Sequence, residues 1–229
     1  MLQSNQLIGF GGHDSGYPDF DSTNAYARYI ADTGVTGDPV TQWNDQIGSL
    51  HLTPGSTAPD YQATGGPNGG PAIYFDGSDD YLENTSYSLA QTNHIFIVMK
   101  NVSSASGKMI VGHYVTTSDT YIATYPPALR HAADVAEGNS ATAPSDGTWF
   151  LLEALFSGAS STLRVAGTTA SGTNIGPDGW SDLVLGKNWA GPSPANFAIA
   201  EFVSHTAEIS GAQLTNNRAY FAGKYGVTT

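Results

Sequence analysis

Carboxylates, histidines and large rings are the residues of this chain that could do chemistry. Glu153 and Glu201 stand inside the two most apolar runs, 148–156 and 197–205. If those runs are neighbouring strands, the two carboxylates share a sheet face. They would then serve either as ion-pair partners within the sheet or as the acid and nucleophile of glycoside hydrolysis. Asp76, Ser78 and Asp80 occupy positions 1, 3 and 5 of a calcium loop. Tyr81 stands where that loop needs glycine, however, and Tyr87 where it needs glutamate. Asp76, Asp79 and Asp80 therefore read first as a solvated turn. Completed by an oxygen from another loop, they would hold calcium. Asp14, Asp19 and Asp21 form a second, weaker oxygen cluster.

The six histidines are scattered without ligand spacing, and with no cysteine a zinc site is not expected. Ser15 sits in a Gly-rich stretch and lacks the strand-to-helix elbow of an activated serine. Aromatic side chains offer a different chemistry, because sugar rings present C–H faces that pack on Trp and Tyr while their hydroxyls bond amides and imidazoles. Trp180, Trp189, Tyr114, Tyr121 and Tyr125, with Asn188 and His113 beside them, are the candidate glycan-binding set. The competing reading is that these rings pack in the core or pin loops. Trp43 and Trp149 are assigned to the core.

The elements that must position these residues are mainly strands. The segment 94–100 is apolar on both faces, as a central strand covered from both sides should be. Further strands are predicted at 108–114, 120–125, 148–156, 161–166, 182–185 and 197–205. Gly, Asn and Ser turns separate them, which is the pattern of a sandwich and not of a βαβ array. Asp76-Gly77 between apolar runs predicts a hairpin. Residues 25–31 read as a short helix or a strand. One helix is predicted after Ser210, which would cap it, with Leu214, Phe221 and Tyr225 on one side and Gly226 as its left-handed end.

Tyr29-Ile-Ala-Asp32, Thr41-Gln-Trp-Asn-Asp45 and Pro71-Ala-Ile-Tyr-Phe-Asp-Gly77 resemble the opening of laminin-G-like domains, a branch of the concanavalin A-like lectin/glucanase family. The middle piece, 146–165, and the closing piece, 200–226, resemble that family's paired strands and final strand-plus-helix. One departure is Ala166-Gly167, where the family's hairpin carries Asn-Gly or Asp-Gly, so a longer or differently built turn is expected. The resemblance implies an all-β, concanavalin A-like jelly-roll β-sandwich of two antiparallel sheets with one C-terminal helix. Residues 1–22 form an N-terminal arm and 23–229 the jelly-roll domain. It also implies a fold used to bind sugars, proteins or surfaces. The family's glycanases carry Glu-x-Asp-x-x-Glu on one strand, and this chain lacks it.

The net charge of −12, with eight basic residues, excludes a nucleic-acid track and disfavours an anionic membrane surface. The first residues contain no basic-then-apolar leader, so synthesis without a secretory signal is expected. From these features the expected function is a non-enzymatic virion or surface module, a bacteriophage capsid-decoration or tail structural protein, binding host or environmental polysaccharide. It would sit on the exposed particle surface. Leu7, Ile8 and Phe10 of the arm would dock on other virion proteins or on a second copy. A stand-alone lectin is the alternative, and a polysaccharide hydrolase or lyase ranks third. No organic cofactor is expected, and calcium is the one ion the oxygen ligands would suit.

Overall fold

The computed structural model describes residues 16–103, 105–113, 120–133, 138–187 and 194–229. Among the described residues there are two large sheets, a small two-stranded one and a single α-helix, Gly211–Tyr225. The first large sheet runs Thr168–Ser171, Thr162–Val165, Phe150–Phe156, Asn93–Ser103, Asn196–His205, Ala72–Asp76, Asp60–Gln62. Ala25–Ile30 pairs the second half of Asn196–His205 in the same sheet. The second sheet runs Asn139–Thr142, Ala128–Ala133, Thr120–Tyr125, Lys108–Gly112, Leu183–Leu185, Leu82–Asn84, Thr53–Pro54. Pairing within both is antiparallel. The molecule is therefore an all-β structure with one C-terminal helix.

Alternation along Asn93–Ser103 explains its apolar character on both faces. Ile95, Ile97 and Met99 point into the core, among Leu152, Phe156, Phe197 and residues of the second sheet such as Ile122, Leu129 and Leu185. Phe96 and Val98 point the other way, into a cluster with Leu151, Val203, Tyr220, Phe221 and Tyr225 that docks the helix. Burial at this depth contributes roughly 1.5–3 kcal/mol for each large apolar side chain. Gly226 ends the helix at φ 65°, donating its N–H to the Ala222 carbonyl at 2.8 Å. Ser210 occupies the N-cap position in extended backbone, but its hydroxyl makes none of the predicted capping bonds.

Several local expectations are corrected. Asp76-Gly77 does not turn a hairpin. The strand before it belongs to the first sheet and Leu82–Asn84 to the second, so these residues carry the chain across the core. Ala166-Gly167 makes a tight two-residue turn, with φ of 46° and 84° and Val165 paired to Thr168. Ala166 thus takes the left-handed conformation usually left to Asn or Gly. Residues 25–31 hold a strand, Ala25–Ile30. Trp43 is fully buried, whereas Trp149 is half-buried at the rim of the helix cluster with the Lys100 ammonium 5.1 Å from its ring. Within the arm, Tyr17 and Phe20 pack edge-on against Tyr220. Asn217 on the helix bonds both the N–H and the carbonyl of Asp21. Leu7, Ile8 and Phe10 lie outside the described residues.

The Trp43-x-Asp45-x-x-Gly48 phrase has a structural explanation. The Asp45 carboxylate accepts four backbone N–H groups, from Arg28 and Ile47 on Oδ1 and from Gly48 and Leu50 on Oδ2, at 2.9–3.2 Å. A Cβ at Gly48 would meet Asp45 Oδ2 at 3.2 Å, so a larger residue there would have to push the carboxylate by a few tenths of an ångström. Asp45 is thus a loop organiser, buried at 6 % exposure. Among the described residues no helix is long and apolar enough to cross a membrane.

Candidate functional site

Glu153 and Glu201 do share a face of the first sheet, the one beneath the helix. Glu153 pairs with Phe96 and Glu201 with Val98, on opposite sides of the same central strand. That places their backbones two strand spacings apart across the sheet and two residues apart along it, roughly 12 Å in all. Both are occupied. Glu153 takes a two-pronged contact from the Arg218 guanidinium, at 2.6 and 2.9 Å, with Arg164 at 3.5 Å. Glu201 is completely buried and accepts from Arg28 Nε at 2.7 Å, the Tyr225 hydroxyl at 2.6 Å and the Tyr220 hydroxyl at 2.9 Å. Burial, then the Glu201 charge, pushes both tyrosine hydroxyls well up. Each carboxylate is a neutralised anchor between sheet and helix. Neither faces a space where a glycosidic bond could lie between them.

Asp76, Asp79 and Asp80 bring carboxylate oxygens within 4.8 Å of one another at the sheet-to-sheet crossing. Each also serves the turn. Asp76 Oδ1 accepts the Ser78 N–H at 2.7 Å, Asp80 Oδ2 the Asp76 N–H at 2.9 Å, and Asp79 Oδ2 the Thr57 hydroxyl at 3.0 Å. Burial, followed by the neighbouring Asp76, Asp79 and Asp60 charges, raises the Asp80 carboxyl against the lowering pull of the Asp76 N–H. The second oxygen of each group is the one that could meet a hard cation such as calcium.

The outward face of the second sheet is different in kind. Tyr121, Ala123 and Tyr125 alternate along one strand, and Ala128, Arg130 and Ala132 face the same way on the next, with Ala123 opposite Arg130. The Pro126-Pro127 turn joins the two strands. Tyr121, Ala123 and Ala132 form a small apolar floor, with Met109 and Tyr125 packed against it. The Arg130 guanidinium lies over the Tyr125 ring at 4.3 Å from its centroid. Its Nε is buried without a hydrogen-bond partner. Burial, then the Tyr125 hydroxyl, pushes the Tyr121 hydroxyl up to about 12, with Arg130 pulling the other way. The two tyrosines and Arg130 thus form one polar cluster on an alanine floor.

The candidate sugar-binding residues scatter when placed in the fold. Tyr121 and Tyr125 are brought together on that face. Trp180 is not there. It is 2 % exposed, packed edge-on against Phe156 in the core, because its strand bridge to Leu89 turns the indole inward. His113 is buried, with Nδ1 3.2 Å from the Ser181 hydroxyl. Tyr114, Asn188 and Trp189 lie outside the described residues. Arg130 escaped the sequence reading because Ala128–Ala133 was not read as a strand. The signal was Tyr-x-x-x-Tyr running into Pro-Pro. A hairpin there would have put Arg130 between the two rings.

No family model matches the chain, and no curated protein matches it in sequence. Solved structures do match in fold. A Trypanosoma rangeli sialidase in complex with sialic acid aligns at TM-score 0.64 and 8 % identity, over 91 % of this chain and 34 % of that one. This chain therefore spans about a third of the sialidase. Domain 4 of AbnA, a GH43 extracellular arabinanase from Geobacillus stearothermophilus, in complex with arabinotriose, aligns at TM-score 0.64 and 12 % identity, over 85 % of this chain and 98 % of that one. A GH54 α-L-arabinofuranosidase variant aligns at TM-score 0.62 and 13 % identity, over 82 % and 52 %. At such identities the likeness is one of fold. It nevertheless corrects the expectation of a non-enzymatic virion or phage structural module, since the matched folds belong to glycosidases or to a domain of one.

Proposed function

We propose that this chain is a carbohydrate-recognition domain of the concanavalin A-like jelly-roll type, related to laminin-G-like domains and working within glycan processing. The observation that carries this reading is the outward face of the second sheet, where Tyr121, Tyr125 and Arg130 gather above an alanine floor. The floor itself is buried, so a sugar would meet the polar groups above it, the tyrosine hydroxyls and the guanidinium with its strong donors. Support comes from the arabinanase domain, which is aligned over nearly its full length and whose structure is a complex with arabinotriose. A fold of this extent alone holds an oligosaccharide in that protein. The paired state of Glu153 and Glu201 leaves the outward face of the other sheet as the better place for a glycan.

Affinity electrophoresis of the purified protein in gels containing arabinan, pectin, xylan or sialylated glycoprotein tests the reading. Retardation by at least one polysaccharide, reduced at least tenfold by Tyr125→Ala, is expected. Mobility unchanged in every gel would overturn it. Reducing-end release assayed on the retarding polysaccharide then shows whether bond cleavage resides on the same chain.

A further inference from the structure

We infer that Arg130 reads a carboxylate, and that the sugar taken by this face is acidic, of the uronate class. This rests on the carbohydrate-recognition reading and adds a substrate class to it.

The chain carries twenty acidic residues and eight basic ones, so a carboxylate partner for any given cation is easy to supply. Lys100 and Lys187 lie over aromatic rings instead, but the other three arginines are each supplied with one. Arg28 pairs with Glu201, Arg164 and Arg218 with Glu153, and Lys224 with Asp32. Arg130 is treated differently. Among the described residues no carboxylate lies within 4 Å of it, and its Nε is buried without an acceptor. What the fold does give Arg130 is orientation. The Tyr125 ring, 4.3 Å away, supports its guanidinium, the aligned hairpin sets the small Ala123 opposite it, and the half-buried side chain keeps part of its surface in solvent.

A guanidinium carries five donors, and those not turned to the Tyr121 hydroxyl can grip a carboxylate through two parallel N–H···O bonds. A neutral sugar hydroxyl uses one donor at a time and leaves the charge unmatched. The tyrosine hydroxyls on either side of Ala123 are placed to meet ring hydroxyls of the same residue. Sulfated sugars share the anionic chemistry, and the experiment separates the two sources. Short oligomers are the fitting probes, because the net charge of −12 repels a long polyanion.

The test is isothermal titration of the full chain with four ligands. These are trigalacturonate, its methyl ester, neutral arabinotriose and a sulfated trisaccharide. Each is titrated into wild type, Arg130→Gln and Arg130→Lys, with thermal melts confirming that the variants fold. Wild type should bind trigalacturonate at least tenfold tighter than its methyl ester and tighter than the sulfated sugar. Arg130→Gln should bring the affinity for the acid down to that for the ester. Arg130→Lys should restore only part of the preference, since a point charge replaces the fork. Equal affinity for acid and ester in wild type, a preference that survives Arg130→Gln, or stronger binding of the sulfated sugar would overturn the uronate assignment and leave glycan recognition standing. Failure to bind any of the four would overturn both.

Discussion

The two outward faces of this sandwich handle charge in opposite ways. On the first sheet, three arginines and a lysine converge on two buried glutamates, and a helix closes over them with Tyr220, Phe221 and Tyr225. On the second sheet a single arginine lies on a tyrosine ring with no acid partner among the described residues. A buried charge that is paired and bonded behaves as structure, and breaking it costs stability. A charge left unmatched at a surface contributes little to folding and is free to meet a ligand.

That contrast can be broken in order of size. Glu201→Ala should remove about 3–5 kcal/mol of unfolding free energy in urea melts, because Arg28 and two tyrosine hydroxyls lose their acceptor inside the helix interface. A loss below about 1 kcal/mol would show that the pair is not an anchor.

Acid should come next. Burial holds the His94 and His131 imidazoles down to about 3 and His205 to about 4, against an ordinary 6.5. Between those values the unfolded chain binds more protons than the folded one. Stability is then full above about pH 6.5 and falls as pH drops toward 4. Urea midpoints measured from pH 7.5 to 4 should fall steadily. The fall should shrink in His131→Phe, which keeps the contact with Phe156. A flat profile would contradict the burial of these rings.

Arg130→Gln should lower stability by no more than about 1 kcal/mol, the scale of a partly exposed cation–ring contact. A larger loss would move Arg130 from the ligand side of the comparison to the structural side. Smallest of all is the acidic crossing. Calcium at a concentration equal to its dissociation constant should add about 0.4 kcal/mol by mass action, seen as a slight rise in Tm absent with sodium at matched ionic strength. With no rise up to 10 mM calcium, Asp76, Asp79 and Asp80 are a solvated turn and nothing more.

Much of the architecture was legible in the sequence. Long apolar runs such as 94–100 and 197–205 announced central strands, because a strand covered on both sides has no polar face to hide its period. The helix with Gly226 at its end was equally plain. The last two strands at one margin of the second sheet were harder. Ala128–Ala133 and Asn139–Thr142 carry Ala, Arg, Asn and Ser, which favour no strand on their own, and their pairing with neighbours overrides propensity. That failure hid Arg130. Trp180 misled for the opposite reason, since a loop-like stretch of Gly, Pro and Asp delivers it into the core through its bridge to Leu89. Residue type singled out Tyr121 and Tyr125, which the fold sets on one sheet face, whereas the Arg130 between them needed the register of two strands.

The pairing of Ala25–Ile30 with Asn196–His205 also governs how the protein is made. The earliest strand waits for one of the last, across a separation of some 170 residues in the Arg28–Glu201 contact. Such long-range closure slows folding. Until Asn196–His205 emerges, the strands on either side of it stay unpaired along that edge, and a chaperone able to shield their apolar faces should raise the yield of native protein.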